Sequence, residues 1–450
     1  MRRFRGGIHP HDEKNIADRP IENAILPPKV VIPLQQHIGA PAQPIVTVGA
    51  EVKKGQKIGE SSGFVSSTVH ASISGKVTEI ANHLYPNPMG RTALSVVIES
   101  DAGAVGGAVG SDDWYEGIKP PDNPDSLDSK QILDIIKEAG IVGMGGATFP
   151  SHVKLSVPDG KRVDAVILNG VECEPYMTPD HRLMLEESEK IVYGLKVIMK
   201  VLKVQNGFVG IEDNKPDAIE MMKRATGNDA NVKVVPLKVK YPQGWENMLI
   251  KSILNREVPP GSLPLDVGVL VSNVGTAAAI CNAVRLGQPL IERVVSVTGP
   301  EIAQPKNLRV RVGTPFSDLI QQCGGFKGTP GKIIAGGPMM GFAIFDTNIP
   351  VVKGTTNILA FSEKEAGAKT RRMCIKCGRC VNVCPVRLMP TMIASLSEKG
   401  MFDEAEAYYP MDCKECGCCA YICPAKIPLV QLIQFAKAVI TAKQRAKQAK

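Results

Sequence analysis

Nine of the twelve cysteines in this 450-residue chain fall between Cys374 and Cys423. They form two runs. The first is Cys374-Ile375-Lys376-Cys377-Gly378-Arg379-Cys380-Val381-Asn382-Val383-Cys384-Pro385, and the second is Cys413-Lys414-Glu415-Cys416-Gly417-Cys418-Cys419-Ala420-Tyr421-Ile422-Cys423-Pro424. Both read C-x2-C-x2-C-x3-C-P, a spacing whose chemistry is thiolate ligation of iron–sulfur cubanes. Three closely spaced thiolates wrap three irons, and the following turn offers backbone N–H groups to the sulfides. Zinc sites draw four ligands from C-x2-C pairs, which does not account for doubled triplets followed by Cys-Pro. Cys418 is out of register with both runs and reads as a spectator. Disulfides are not expected, because the cysteines cluster in a long chain without an export signal.

A second set of residues could hold an anionic or planar ligand through the backbone. Gly143-Met144-Gly145-Gly146-Ala147-Thr148-Phe149-Pro150, followed by Lys154, is a loop that lets N–H groups approach a phosphate or a flavin ring. A strand run then ends in Leu168-Asn169-Gly170-Val171-Glu172-Cys173-Glu174-Pro175-Tyr176, and another ends in Val271-Ser272-Asn273-Val274-Gly275-Thr276. Ligands of open α/β sheets bind at the carboxyl ends of strands, so Asn169, Glu172, Glu174, Asn273 and Thr276 stand where a ligand would. Cys173 reads as a small buried side chain within that turn.

These residues need elements to position them. Hydrophobic residues make up 44% and charged residues 22%, the balance of an ordinary globular chain of about three domains. The net charge of +8 is too mild to argue for nucleic acid. No signal peptide follows Met1, and no run of about 18 apolar residues crosses a bilayer, so the cytosol or a cytosolic membrane face is expected. Residues 29–100 read as short strands between turn glycines, with runs at Val46 to Ile58 and Val65 to Ile80. Residues 101–128 read as a linker. An alternation of helices and strands follows: helices at 132–139, 191–202, from Pro216, 245–254 and 277–286, and strands at 163–168, 208–211, 232–239 and 267–271. That is a mostly parallel sheet covered on both faces. Residues 290–345 return to strands around a short helix, Pro315 to Cys323. Arg387 to Tyr409 reads as helix between the cysteine runs, longer than the loop of a minimal ferredoxin. Beyond them Leu429, Leu432, Ile433, Ala436 and Ile440 share a helical face, with Lys437, Lys443, Arg445, Lys447 and Lys450 following. That tail either docks on an anionic membrane or a partner subunit, or packs as a helix with a solvated charged end.

The cysteine runs have the spacing of bacterial two-cluster ferredoxins. In that pattern the fourth cysteine of each run ligates the other cluster. The resemblance therefore implies one [4Fe–4S] cluster on Cys374, Cys377, Cys380 and Cys423, and another on Cys413, Cys416, Cys419 and Cys384. The phrases Val52 to Ile58 and Val69 to Val77 resemble lipoyl and biotinyl carrier barrels. The hairpin between them, Ser61 to Thr68, lacks the cofactor lysine, so the barrel is read as structural. The glycine loop, the Asn169 to Pro175 turn and the Asn273 to Thr276 turn resemble the flavin-binding subunit of respiratory complex I. This chain departs from that family at Met144, at Thr148, and in Tyr241-Pro242-Gln243-Gly244-Trp245-Glu246, where only the second of two acids, Glu246, is kept.

Over residues 1–437 the chain is similar to the C subunits of Rnf-type ion-translocating ferredoxin:NAD oxidoreductases. The residues that carry this are Phe4-Arg5-Gly6-Gly7-Ile8-His9-Pro10, the barrel, Glu172 to Tyr176, Tyr241 to Gly244, Gly336-Gly337-Pro338-Met339-Met340-Gly341 and the doubled cysteine motif. The resemblance implies a multidomain α/β architecture. It has an N-terminal arm (1–28), a barrel-sandwich β domain (29–100), a parallel α/β domain for FMN and NADH (125–288), a small β-grasp domain (289–350), a helical two-[4Fe–4S] ferredoxin-like domain (365–437) and a basic tail (438–450). It implies non-covalent FMN near Gly143, Gly145, Gly146, Ala147 and Phe149. Lys154 would serve the phosphate, and Asn169, Glu172, Glu174, Tyr241, Gly244, Asn273 and Thr276 would line the pocket, with Glu246 near the nicotinamide of NAD(H). It also implies partner subunits of a membrane redox complex and a peripheral place on the cytoplasmic face of the cell membrane. A soluble reductase similar to cobalamin reductases, or a non-catalytic iron–sulfur adaptor, would be built from the same parts. His9 and His11 have no companion ligand in sequence and read as part of a turn docked on the core.

The crossed ligation has a direct test. Cys384→Ser should damage the cluster built on Cys413 and leave the one built on Cys374. Loss of the electron paramagnetic resonance (EPR) signal confined to the Cys374 cluster would contradict it.

Overall fold

A computed structural model of the chain describes residues 4–101, 118–367 and 370–448. Most of the expected linker, and Lys450 of the tail, lie outside them.

The unit that carries the candidate ligand loop is a four-stranded parallel sheet. Its order is Val232–Leu237, Gly207–Glu212, Ala165–Asn169, Val269–Asn273. The strands are apolar runs because helices cover both faces, as parallel sheets require. Val166 and Leu168 face one core with Ile191, Leu195 and Ile198 of helix Ser188–Leu202, while Ile167 and Val271 face another with Leu249 and Ile250 of helix Glu246–Leu254. Helix Ser129–Glu138 opens with a capping box, in which Asp128 and Gln131 satisfy each other's backbone N–H groups. Ala139 ends it, and Gly140 follows at φ +64°.

The barrel-sandwich consists of a four-stranded antiparallel sheet (Lys29–Pro33, Thr92–Ser100, Gly75–Leu84, Glu51–Val52) facing a three-stranded one (Gln43–Pro44, Lys57–Glu60, Val69–His70). The run from Val65 to Ile80 holds Val69–His70 and the first part of Gly75–Leu84, short strands as expected. A six-stranded mixed sheet carries the segment expected as β-grasp. It recruits Ile21–Asn23 from the arm and Asn357–Ser362 from beyond residue 350. Barrel and mixed sheet are not independent: Val30, Ile32, Val77 and Ile98 share one core with Val295, Leu308, Phe316 and Val351.

The cysteine module is helical, but the stretch 387–409 is not one helix. Pro390–Glu398 and Phe402–Glu406 are separated at Gly400, whose φ of +71° a helix cannot continue through. The last helix, Leu429–Gln448, packs its apolar face inward. Leu429, Ile433, Ala436 and Ile440 are buried against the module, and Lys437 and Lys443 pair with Glu415 and Asp403. That face is therefore closed to lipid. No helix among the described residues is long and apolar enough to cross a membrane.

One buried lysine ties three units together. Lys353 Nζ donates to Thr68 O of the barrel (2.8 Å) and to Gly140 O at the end of helix Ser129–Glu138 (2.7 Å). Burial pushes its pKa down to about 7. Between about pH 7 and the ordinary lysine range the unfolded chain binds the extra proton, so stability should rise with pH there. Thermal unfolding between pH 7.5 and 9.5 should show this, with a slope from this group of up to about 1.4 kcal/mol per pH unit. The rise should shrink in Lys353→Met. Equal slopes in both proteins would show that Lys353 titrates normally.

Candidate functional site

Asn169 and Asn273 are register partners at the carboxyl ends of adjacent parallel strands. The chain leaves Ala165–Asn169 toward one side of the sheet and returns to Val269–Asn273 on the other, so the crevice between them is the switch point of the topology. Asn273 Oδ1 accepts from Gly275 N (2.8 Å), capping helix Val274–Leu286, and its Nδ2 donates to Asp180 Oδ2 (2.6 Å). Asn169 Oδ1 accepts from Val171 N (3.2 Å) and its Nδ2 donates to Gly244 O (2.8 Å). Both amides thus brace the edges of the crevice.

The glycine loop lies over this edge. Met144 N donates to Thr276 Oγ1 (2.9 Å), and Gly143 N to Phe149 O (2.9 Å) closes the loop. Gly145, Gly146 and Ala147 are exposed at its tip, leaving backbone free to meet a ligand. A side chain at Gly145 would not fit, because its Cβ would lie 2.7 Å from Asn273 Nδ2. Thr148, Glu172 and Tyr176 hold positive φ angles (53°, 47° and 66°). Such strain gathers at sites where surrounding structure over-determines the backbone. Lys154 and Glu246 stand 3.8 Å apart and half exposed. An ion pair in that setting is worth under about 1 kcal/mol, so an arriving phosphate can displace it.

The two acids of the turn face protein. Glu172 Oε1 accepts from Asp180 N (2.7 Å) at the start of helix Pro179–Glu186, and Glu174 Oε2 accepts from Met339 N (2.9 Å) and Met340 N (3.3 Å). Burial, then the Glu172 charge, pushes the Asp180 carboxyl up to about 7. Beneath the turn, Lys14 Nζ donates to Glu174 O (3.1 Å) and Lys215 Nζ to Val171 O (2.8 Å). Nothing in the sequence pattern flags Lys14, Asp180 or Lys215. They come from the arm, a helix start and the residue before Pro216, and only the fold brings them under one turn.

Tyr241 is placed differently from the expectation that it lines the flavin pocket. Its backbone pairs with Ile8 of the arm, and its buried hydroxyl donates to Cys416 O (2.7 Å). Gly244 N donates to Cys173 Sγ (3.3 Å). The segment from Tyr241 to Gly244 therefore runs from the second cysteine run to the strand-end crevice. Cys418 is not idle either: it is buried against Ile8 and Tyr241 in this junction.

The two cysteine runs repeat one backbone at an offset of 39 residues. Lys376 and Glu415 both have φ of 56°, Gly378 and Gly417 have 72° and 79°, and Arg387 and Lys426 have 58° and 52°. Cys384 joins Cys413, Cys416 and Cys419 around one cavity, which the buried Cys418 also lines. Leu388 N donates to Cys384 Sγ (3.3 Å) and Glu415 N to Cys413 Sγ (3.4 Å). Among the described residues no three His, Cys, Asp or Glu side chains converge on a point as a single ion requires; these four thiols surround a volume. Cys423 and Cys380 pack in one cluster together with Cys419, and Thr391 touches Cys374 Sγ (3.7 Å).

Family models match in the same order as these units: an RnfC barrel sandwich hybrid domain over 2–103, a Nuo51 FMN-binding domain over 136–282, an SLBB domain over 294–343 and a 4Fe-4S dicluster domain over 373–427. The C subunit of the proton-translocating ferredoxin:NAD(+) oxidoreductase complex of Clostridium ljungdahlii is 53% identical over 97% of this chain and 94% of its own length. Its Na(+)-translocating counterpart from Acetobacterium woodii is 50% identical over 98% of both, and the C subunit of the ion-translocating oxidoreductase complex of Rhodobacter capsulatus is 44% identical over 99% of this chain and 84% of its own. The chain belongs to this family of C subunits. The matched models make FMN and [4Fe–4S] clusters the cofactors of this C subunit, and the crevice and the thiol-lined cavity have donors suited to each.

Gly145→Val should abolish flavin binding and leave the iron content unchanged, since the loop and the thiols lie in separate units. Stoichiometric flavin in the purified variant would show that the loop does not face the ring.

Proposed function

We propose that this chain is the NAD(H)-facing electron-transfer subunit of a membrane ion-translocating ferredoxin:NAD oxidoreductase. When bound, the flavin accepts a pair of electrons from the nicotinamide and the clusters carry electrons singly. The chain's own residues bind and orient. Gly143, Gly145, Gly146 and Ala147 admit the flavin, Phe149 supports the loop, and Lys154 supplies charge for the phosphate. Asn169, Asn273 and Thr276 fix the crevice, while Glu172 and Glu174 shape its wall. Glu246 is the candidate contact for the nicotinamide ribose. Cys374, Cys377, Cys380 and Cys423 hold one cluster, and Cys413, Cys416, Cys419 and Cys384 the other.

The observation that carries this reading is the junction at Tyr241. It joins the crevice to the Cys413 half of the module within one short segment. An adaptor with no flavin would have no use for a ligand crevice braced against a cluster-binding loop. The subunit is held at the cytoplasmic face of the membrane by the other subunits of its complex. Any contact with anionic lipid falls to the cations at the end of the last helix, since its apolar face is buried in the module.

Anaerobic reconstitution followed by NADH titration tests the reading. Heat-released flavin fluorescence should approach one FMN per chain, and NADH should bleach both flavin and iron–sulfur absorbance. A colourless supernatant with intact clusters would favour the adaptor.

A further inference from the structure

The two cysteine loops share one backbone but sit in opposite surroundings. The second is enclosed: Cys413 and Cys416 are half-buried, Cys419 is buried, Tyr241 holds the Cys416 carbonyl, and Gly417 lies against Met339. The first is open. Every residue from 371 to 379 is exposed, Cys374 and Cys377 included, and Met373 and Ile375 are 90% and 68% exposed. This nonapeptide carries Arg371, Arg372, Lys376 and Arg379 and no carboxylate. Arg371 is paired with Glu398 (2.8 Å), while the described residues offer the other three no carboxylate. The backbone of Arg372 bonds to Ala425 O (2.9 Å), which brings the exposed Lys426 to the same end of the module.

We propose that this open half is a docking face for a redox protein domain whose contact surface is apolar at its centre and acidic at its rim. The proposal rests on the function proposed for this chain: with the Cys413 half joined to the crevice through Tyr241, the half at Cys374 and Cys377 is the outward end of the module. Two large apolar side chains beside two ligating cysteines supply area to bury, at about 25 cal/mol per Å² removed from water. The cations around them speed and orient encounter with a negative surface. An anionic bilayer would also attract these cations. It would place the outward thiols against headgroups that accept no electron, so a protein with its own one-electron centre is the occupant the chemistry favours.

The test uses the full reconstituted chain with an acidic two-[4Fe–4S] ferredoxin as probe, and titration calorimetry at low and high ionic strength. Arg372→Glu combined with Lys376→Glu should weaken binding about tenfold or more at low salt, and the difference should shrink at high salt. Met373→Ser combined with Ile375→Ser should weaken it at both. EPR of each variant checks that its clusters are intact. If the loop variants lose iron, Lys426→Glu, outside the loop, carries the charge test. Unchanged affinity in the charge and apolar variants would overturn the proposal. So would binding to phosphatidylglycerol–phosphatidylcholine vesicles that the same substitutions abolish while ferredoxin does not bind. NADH bleaching of the chain's own clusters is read in parallel. If it persists while affinity ignores the substitutions, the docking face fails and the functional reading stands. If it is absent while affinity follows them, the reading fails and the face stands.

Discussion

A single tyrosine hydroxyl sets the relation between the two halves of the chemistry. Tyr241 lies in the turn that also carries Gly244, and its O–H ends on the backbone of the loop that holds Cys416. The contact is kept in place by the N-terminal arm. Ile8 pairs with Tyr241 on one side, and Gly7 N donates to Val383 O (2.7 Å) on the other. Gly6 must lack a side chain here, because a Cβ would lie 2.6 Å from Cys384 O and its φ is +72°. The arm therefore wedges between the α/β unit and the cysteine module, touching the segment of Cys384, which lines the cavity of the second run. The sequence Gly6-Gly7-Ile8 is needed for that fit, which explains a motif with no chemistry of its own.

Behind the turn from Asn169 to Tyr176 lies a group of charges that water scarcely reaches. Lys14 and Lys215 donate to carbonyls of the Val171 to Met177 segment, and Glu172 and Glu212 compensate them. Burial pushes the Lys14 ammonium down and the Glu212 carboxyl up. Buried ion pairs seldom add net stability, because desolvation cancels most of the attraction. Their value here is geometric: the turn holds Glu172 and Tyr176 at positive φ, and the lysines fix the carbonyls that this conformation points inward.

The parts of this arrangement differ in how plainly the sequence shows them. The cysteine runs are legible because ligand spacing is a local constraint, and the parallel strands are legible because burial on both faces leaves unbroken apolar runs. The tail is half legible. Periodicity identifies the face from Leu429 to Ile440 but cannot say what it meets, and it meets the module. The helix read over 387–409 is there, but it is broken at Gly400 into Pro390–Glu398 and Phe402–Glu406, a break that periodicity does not show. The shared core of barrel and mixed sheet is invisible, because it joins Val30 and Ile98 to Leu308 and Val351 across more than two hundred residues of chain. Tyr241 is recognisable as part of the site but not by its neighbour, since a motif names a residue without saying which way its hydroxyl points.

The Cys413 half of the module, not the Cys374 half, meets the strand-end crevice through Tyr241. An experimental density map of the anaerobically reconstituted chain tests it most directly, through the separation of the flavin ring from each cluster. The ring should lie beneath the Gly143 to Ala147 loop, with the cluster expected on Cys413, Cys416, Cys419 and Cys384 as the nearer of the two. A ring elsewhere, or the cluster at Cys374 and Cys377 lying closer to it, would contradict it.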